Sequence, residues 1–358
     1  MEMDRNVGLD IARISAMCGI IILHILGQGG VLEACDINST EYWISWWIEI
    51  CAYCSVDLFA LLSGWLGIHK KRHSIFRTFE LIMIMLFYSL VITWLFLMLC
   101  PDIFAGYSDI LYSIFPVLSG RYWYIACYIP IAILQPFINK MILALTINQR
   151  KNMCVIAVIL FSVFPSLCRV DFFAFKEGYS FAWLLICYVI GAYLKRMEPK
   201  RKELNNSFYM FVFFLMGATM LLLGNMLLYT IFKFDWHYLV SYISPIILLM
   251  SILLLLYMKN IKLKKGRSVL EKISLVAFDV YIIHCHILIF DFILKDRFIW
   301  IVNMNAYFII IFVFVCSIGL YMGLSLIGMI RIFLFEKMNL NKMLKTISSK
   351  IDYIIYKE

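Results

Sequence analysis

The chain has 358 residues, of which 63% are hydrophobic and only 15% charged. A soluble domain of that make-up would have too little polar surface to face water, so the soluble globular classes are excluded. The formal net charge of +9 does not point to nucleic acid, because Lys and Arg sit in the connections between apolar runs, a pattern that reports membrane orientation.

Apolar runs of about 20 residues recur along the chain without strand-like alternation. Only helices or closed barrels satisfy backbone groups in lipid, so the expected fold is an all-α, polytopic integral membrane protein. The expected spans lie at about 8–26, 43–67, 78–100, 122–145, 153–168, 179–195, 207–232, 239–258, 273–294 and 304–331. Ten spans place both termini on one side. The connections on that side, with residues 1–7 and the tail from Arg331, hold 24 of the 32 Lys and Arg, whereas the opposite connections hold six. This bias predicts cytoplasmic termini. The expected division is a transmembrane domain over 1–335 and a basic tail over 336–358.

The first run, GLDIARISAMCGIIILHIL, carries Arg13 near its start and His24 near its end. An internal Arg, no small-residue cleavage site and nine following spans identify it as a helix rather than a signal peptide. Eleven positions at about 100° each make three turns plus roughly 20°, so both side chains lie on one face, about 16 Å apart along the axis. Ionisable groups inside such a run are functional clues. Two readings stand at this point: a cation and a titratable base set at two depths, or an Arg snorkelling to one interface and a neutral His packed at the other.

The loop 27–42 holds three carboxylates and no Lys or Arg, as an outer loop should. The second span places Asp57 in mid-helix and Ser63-Gly64 near its inner end, followed by Lys70, Lys71 and Arg72. Small residues permit close helix approach, and the basic cluster suits a phosphorylated cytosolic ligand as well as it suits a positive-inside loop. His69 and His73 are four apart with no third ligand nearby and read as a solvated face. The connection 101–121 is the longest outer one, and its apolar patch ILYSIFPVL fits an interfacial or re-entrant segment. Beyond it, Arg121, Trp123 and Tyr124 open the fourth span at about the depth of His24, where Trp and Tyr are also ordinary interfacial anchors.

On the ninth span Tyr281 and His284 share a face, while His284 and His286 point apart, so a metal pair is not expected there. Asp279 could face His286, as structural polar pairing between helices. Most of the 11 cysteines fall inside spans and read as small buried hydrophobes. The tail 336–358 has spaced apolar residues that fit an amphipathic surface helix or a solvated tail equally well.

Four segments together resemble the acyltransferase-3 family of bacterial membrane acyltransferases: LDIARISAMCGIIILHI with its Arg, ten residues and His; VDLFALLSGWL; GRYWYIACYIPIAILQPFIN; and SLVAFDVYIIHCHI. They occur in the family's order over nearly the whole chain, departing from its Phe-Phe form at Phe59-Ala60. The resemblance implies an O-acyltransferase of a bacterial plasma membrane, moving an acyl group, commonly acetyl, from cytosolic acyl-CoA to a hydroxyl of a polysaccharide or lipid-linked sugar. It implies His24 and Arg13 as the catalytic residues, with His24 as general base and a covalent acyl-His24 as a variant. Arg13, Ser63, Gly64 and Arg72 would form the acyl-CoA site, and Arg121, Trp123 and Tyr124 the acceptor site. Asp10, Asp57, Tyr281 and His284 would be structural motif residues. Acetyl-CoA would be a substrate, with no tightly bound cofactor and no metal. The alternative is an exporter or flippase of polysaccharide or its precursor, for which intramembrane charges are equally natural.

Overall fold

The computed structural model describes residues 5–68, 75–104, 106–115, 117, 120, 122–168, 170–197, 207–233, 239–263 and 265–355. The long elements are α1 (Val7–Leu26), α2 (Thr40–Gly67), α3 (Phe76–Leu99), α4 (Tyr107–Ile114), α5 (Trp123–Ala144), α6 (Ile147–Cys168, interrupted by a π turn at Ile159–Val163), α7 (Phe181–Met197), α8 (Ser207–Phe232), α9 (Pro245–Met258), α10 (Arg267–Leu275), α11 (Ala277–His284), α12 (Ala306–Lys337) and α13 (Leu340–Ile355). No strand occurs among the described residues. The protein is an all-α polytopic membrane protein.

Seven helices are long and apolar enough to cross a membrane, and an eighth results if α11 is joined to Ile287–Asn303 across a 62° bend. The other two expected spans correspond to α7 and α9, of 17 and 14 residues. Both are shortened at one end by irregular chain: α9 cannot begin before Pro245, which lacks the N–H of a helix interior. The bend at Cys285–His286 divides the expected span 273–294; the His286 side chain accepts from Leu288 N–H and so starts a new helix.

The centre of the bundle is the α1–α2 pair. Across their most apolar stretches these two are 67% and 72% buried inside the protein, whereas the other long apolar helices are 17–33% buried and present the rest to lipid. α1 also packs on α9, α10, α11 and α12, and α2 on α7, α8 and α9. The α2–α7 crossing is close because of paired glycines: a Cβ on Gly64 would run into the Tyr188 carbonyl, and one on Gly191 into the Leu61 carbonyl.

Following the charge pattern, the end where α1 begins is called inner. There Arg5 grips Asp10 with two hydrogen bonds of 2.7 and 2.8 Å, and Ser274 donates to the same carboxylate at 2.7 Å, stapling α1 to α10. The hydrogen bond to Asp10 raises the Arg5 pKa above its ordinary value and keeps the guanidinium charged. A second buried pair ties α11 to α12: Arg331 donates to both oxygens of Asp279 at 2.8 and 2.7 Å, and the Tyr88 hydroxyl adds 2.7 Å. This corrects two expectations. Arg331 is not a loop cation, because α12 runs on to Lys337, and Asp279 does not face His286, whose Nε2 instead meets the Ser113 carbonyl of α4 at 2.9 Å. A carboxylate buried among helices is stable only with a donor set of this kind.

The tail forms α13, which packs on α3 and α12 and accepts the Ile75 N–H on Asp352 at 2.7 Å. The longest outer connection folds back as α4 onto α3.

Candidate active site

Two stripes face each other across the α1–α2 pair. On α1, Met17, Ile20, Leu23, His24 and Gly27 follow helical spacing, and on α2 so do Glu49, Tyr53, Val56 and Phe59. The antiparallel register is set where a Cβ on Gly19 would meet the Ser55 side chain. Counting from that contact at 1.5 Å per residue, His24 and Glu49 lie within about 1.5 Å of the same depth, on the outer side. Arg13 extends the α1 stripe one turn inward of Met17, roughly level with Leu61 of α2.

Between the stripes lies a cavity of about 420 Å³, closed by Trp123 and Tyr124 of α5, Phe278 and Tyr281 of α11, Cys285, Phe290 and the two loop tyrosines Tyr179 and Tyr242. Tyr122 holds α5 in place by donating to the Ile282 carbonyl of α11 at 2.7 Å. The volume is that of a small-molecule site.

His24 projects into this cavity at its outer end. Its ring lies 5.0 Å from that of His284 and 5.0 Å, edge-on, from Phe290. His284 Nδ1 is 2.6 Å from the Val280 carbonyl, which can only accept, so that nitrogen carries the proton and Nε2 is left as the lone-pair nitrogen. Cys285 Sγ lies 3.5 Å from that Nε2 and 3.9 Å from His24 Nδ1. His24, His284 and Cys285 thus offer three ligand atoms within 4.8 Å of one another, a donor set that suits zinc with an open fourth position. The expectation of no metal rested on the His284–His286 pair, whereas the bend at Cys285 assembles a different trio.

The remaining expected residues divide by location. Trp123, Tyr124 and Tyr281 line the cavity. Asp57, between the cavity-lining Val56 and Phe59 but outside the lining, is buried and accepts the Trp183 indole N–H at 2.9 Å, a tie from α2 to α7. Ser63 donates to the Phe59 carbonyl one turn back at 3.0 Å, and Gly64 sits in the α2–α7 crossing. Asp10 belongs to the inner staple. Arg13, with its side chain 27% exposed, makes one contact of 3.4 Å to Asp10 among the described residues, which leaves most of its five donors available. Arg72 and Arg121, like His69 and His73, lie outside the described residues.

Sequence reasoning missed Glu49, Tyr53, Tyr179 and Tyr242. Glu49 could have been found by the rule that singled out Asp57, since it is a carboxylate inside WISWWIEICAYC. The tyrosines carry no such signal, because aromatic residues at a membrane boundary are ordinary anchors.

No curated protein and no solved structure matches the chain. A family model described as an acyltransferase domain, Acyl_transf_3, matches residues 6–324. That match takes in both facing stripes, the α5 entry and the bent α11 segment, and the chain belongs to this acyltransferase family.

Proposed function

We propose that the protein is an O-acyltransferase that moves an acyl group, in the first instance acetyl, from acyl-CoA to a hydroxyl of a cell-surface or exported polysaccharide or a lipid-linked sugar. The observation that carries this reading is the position of His24, in the wall of a partly open, aromatic-lined cavity at the heart of an acyltransferase chain. A hydroxyl is a weak nucleophile at neutral pH, and a neutral imidazole beside it can take its proton as the new C–O bond forms. The thioester C–S bond then breaks, and the CoA thiolate leaves with the proton held by the imidazolium.

The termini-bearing side is cytoplasmic in this reading, in a bacterial plasma membrane, so CoA reaches the site from the inner end. Arg13, with donors to spare, is placed to hold a CoA phosphate or the pantetheine arm, and Arg72 in the neighbouring connection is a further candidate. Ser63 lies near the same inner level and is a further candidate for the donor, whereas Gly64 is taken up by the α2–α7 crossing. Trp123 and Tyr124 serve the acceptor, and Arg121, just before them in the sequence, is a further candidate. The cavity spans from Met17 to Gln28 and occupies most of the about 16 Å that separates Arg13 from His24, so donor and acceptor can meet within it.

The test is radiolabelled acetyl-CoA supplied to membranes containing the wild-type or the His24→Ala protein. Label in glycan that disappears in the variant, at unchanged protein level, supports the reading. Equal labelling overturns the role of His24, and movement of unmodified glycan without labelling would make the protein an exporter.

A further inference from the structure

Glu49 is the one carboxylate among the described residues lining the cavity, which has no Lys or Arg in its described lining. It is 7% exposed, and among the described residues its buried Oε2 has no hydrogen-bond partner. Asp10 and Asp279, buried in the same bundle, have both oxygens occupied. A carboxyl group left unpaired in such surroundings costs stability, so its complement is to be sought in what enters the cavity.

The rings around it define the rest of that complement. Tyr242 stands 5.0 Å from Tyr53 and 5.0 Å from Tyr179, and Trp123 stands 4.7 Å from Tyr179. These four side chains come from α2, α5 and two loops, and they line the cavity with Glu49, which is the member at the depth of His24. Flat apolar faces beside a hydrogen-bond acceptor match a sugar ring, which has C–H faces and hydroxyl edges.

We infer that Glu49, Tyr53, Trp123, Tyr179 and Tyr242 form the subsite that holds the acceptor's sugar unit, and that Glu49 restricts it to units that donate hydrogen bonds and carry no negative charge. The inference rests on the proposed transfer to a glycan. Glu49 would accept from two hydroxyls, or from an ammonium group if the unit is an amino sugar, and a uronate would bring a second carboxylate into a cavity with no cation in its described lining. Held this way, a neighbouring hydroxyl of the unit is presented to His24.

The experiment uses full-length purified protein and measures the dissociation constants of para-nitrophenyl glycosides of N-acetylglucosamine, glucosamine and glucuronic acid, with thermal stability of each variant and acetyl transfer from labelled acetyl-CoA read alongside. The first or second glycoside should bind and the glucuronide should not. Glu49→Gln should weaken binding at least tenfold, Glu49→Asp should recover part of it, and Glu49→Gln should be no less stable than wild type. Tighter binding of glucosamine than of its N-acetyl form identifies an ammonium as the partner, and equal binding identifies hydroxyls. The inference is overturned if no glycoside binds, if the glucuronide binds as well as the others, if Glu49→Gln binds like wild type, or if that substitution lowers the melting temperature. Normal binding and selectivity without acetyl transfer would leave the subsite standing and overturn the proposed reaction.

Discussion

The two ends of α1 treat buried charge in opposite ways. At the inner end Asp10 receives Arg5, Ser274 and Arg13, and nearby Asp279 receives Arg331 and Tyr88, so every carboxylate oxygen there has a donor. Across the cavity Glu49 keeps a buried oxygen with no partner among the described residues. A satisfied network holds helices together, and an unsatisfied one holds stability in reserve for a ligand. Asp57, which ties α2 to α7 through one oxygen, also keeps the other without a partner among the described residues, so what sets Glu49 apart is an unpaired oxygen together with a place in the cavity wall.

Substitutions at the two ends should therefore fail differently. The largest effect expected is at His24: replacement by Ala should lower acetyl transfer by about 10²- to 10⁴-fold, the usual worth of a general base, while membrane levels of the protein hold. Loss of the protein itself, measured by immunoblot, would move His24 to the structural class. Next, Arg331→Met should cost about 3–5 kcal/mol by stranding Asp279, seen as a lowered melting temperature and reduced accumulation, and replacing both partners with Leu should restore much of it. Equal stability of the single variant would break the assignment of this pair as a scaffold.

Gly191→Leu should push α7 away from the Leu61 carbonyl and cost about 1–3 kcal/mol, with activity falling only as folded protein falls. Arg13→Ala should raise the KM for acetyl-CoA about tenfold, the size of one charge-assisted contact, and leave the acceptor KM unchanged. An unchanged acetyl-CoA KM would assign Arg13 to the Asp10 staple alone. The smallest effect is expected from chelation. If His24 is a free base, phenanthroline should leave transfer unaltered, and an inhibition reversed by zinc would make His24, His284 and Cys285 a metal centre.

Several of these residues were legible beforehand. Arg13 and His24 stand out because ionisable groups are rare in apolar runs, and their shared face follows from helical geometry alone. Trp123, Tyr124 and Tyr281 were accessible through the resemblance of their motifs. The His24–His284–Cys285 cluster was not, since it depends on the bend at Cys285, which carries the helix axis through 62° and sets side chains adjacent in sequence against α1. The Asp279 partner was missed because Arg331 reads as a boundary cation until α12 is seen to continue past it.

By itself the sequence determined the class of the molecule, the direction suggested by its charges and the placement of one base and one cation along α1. These are properties of composition and of a single helix, whose pitch is the same wherever it stands. Only the tertiary structure decided which polar groups are satisfied. Asp10, Glu49, Asp57 and Asp279 are alike in the chain as acids among apolar residues, and what distinguishes them is whether another helix brings a donor within about 3 Å, a matter of packing between segments far apart in sequence.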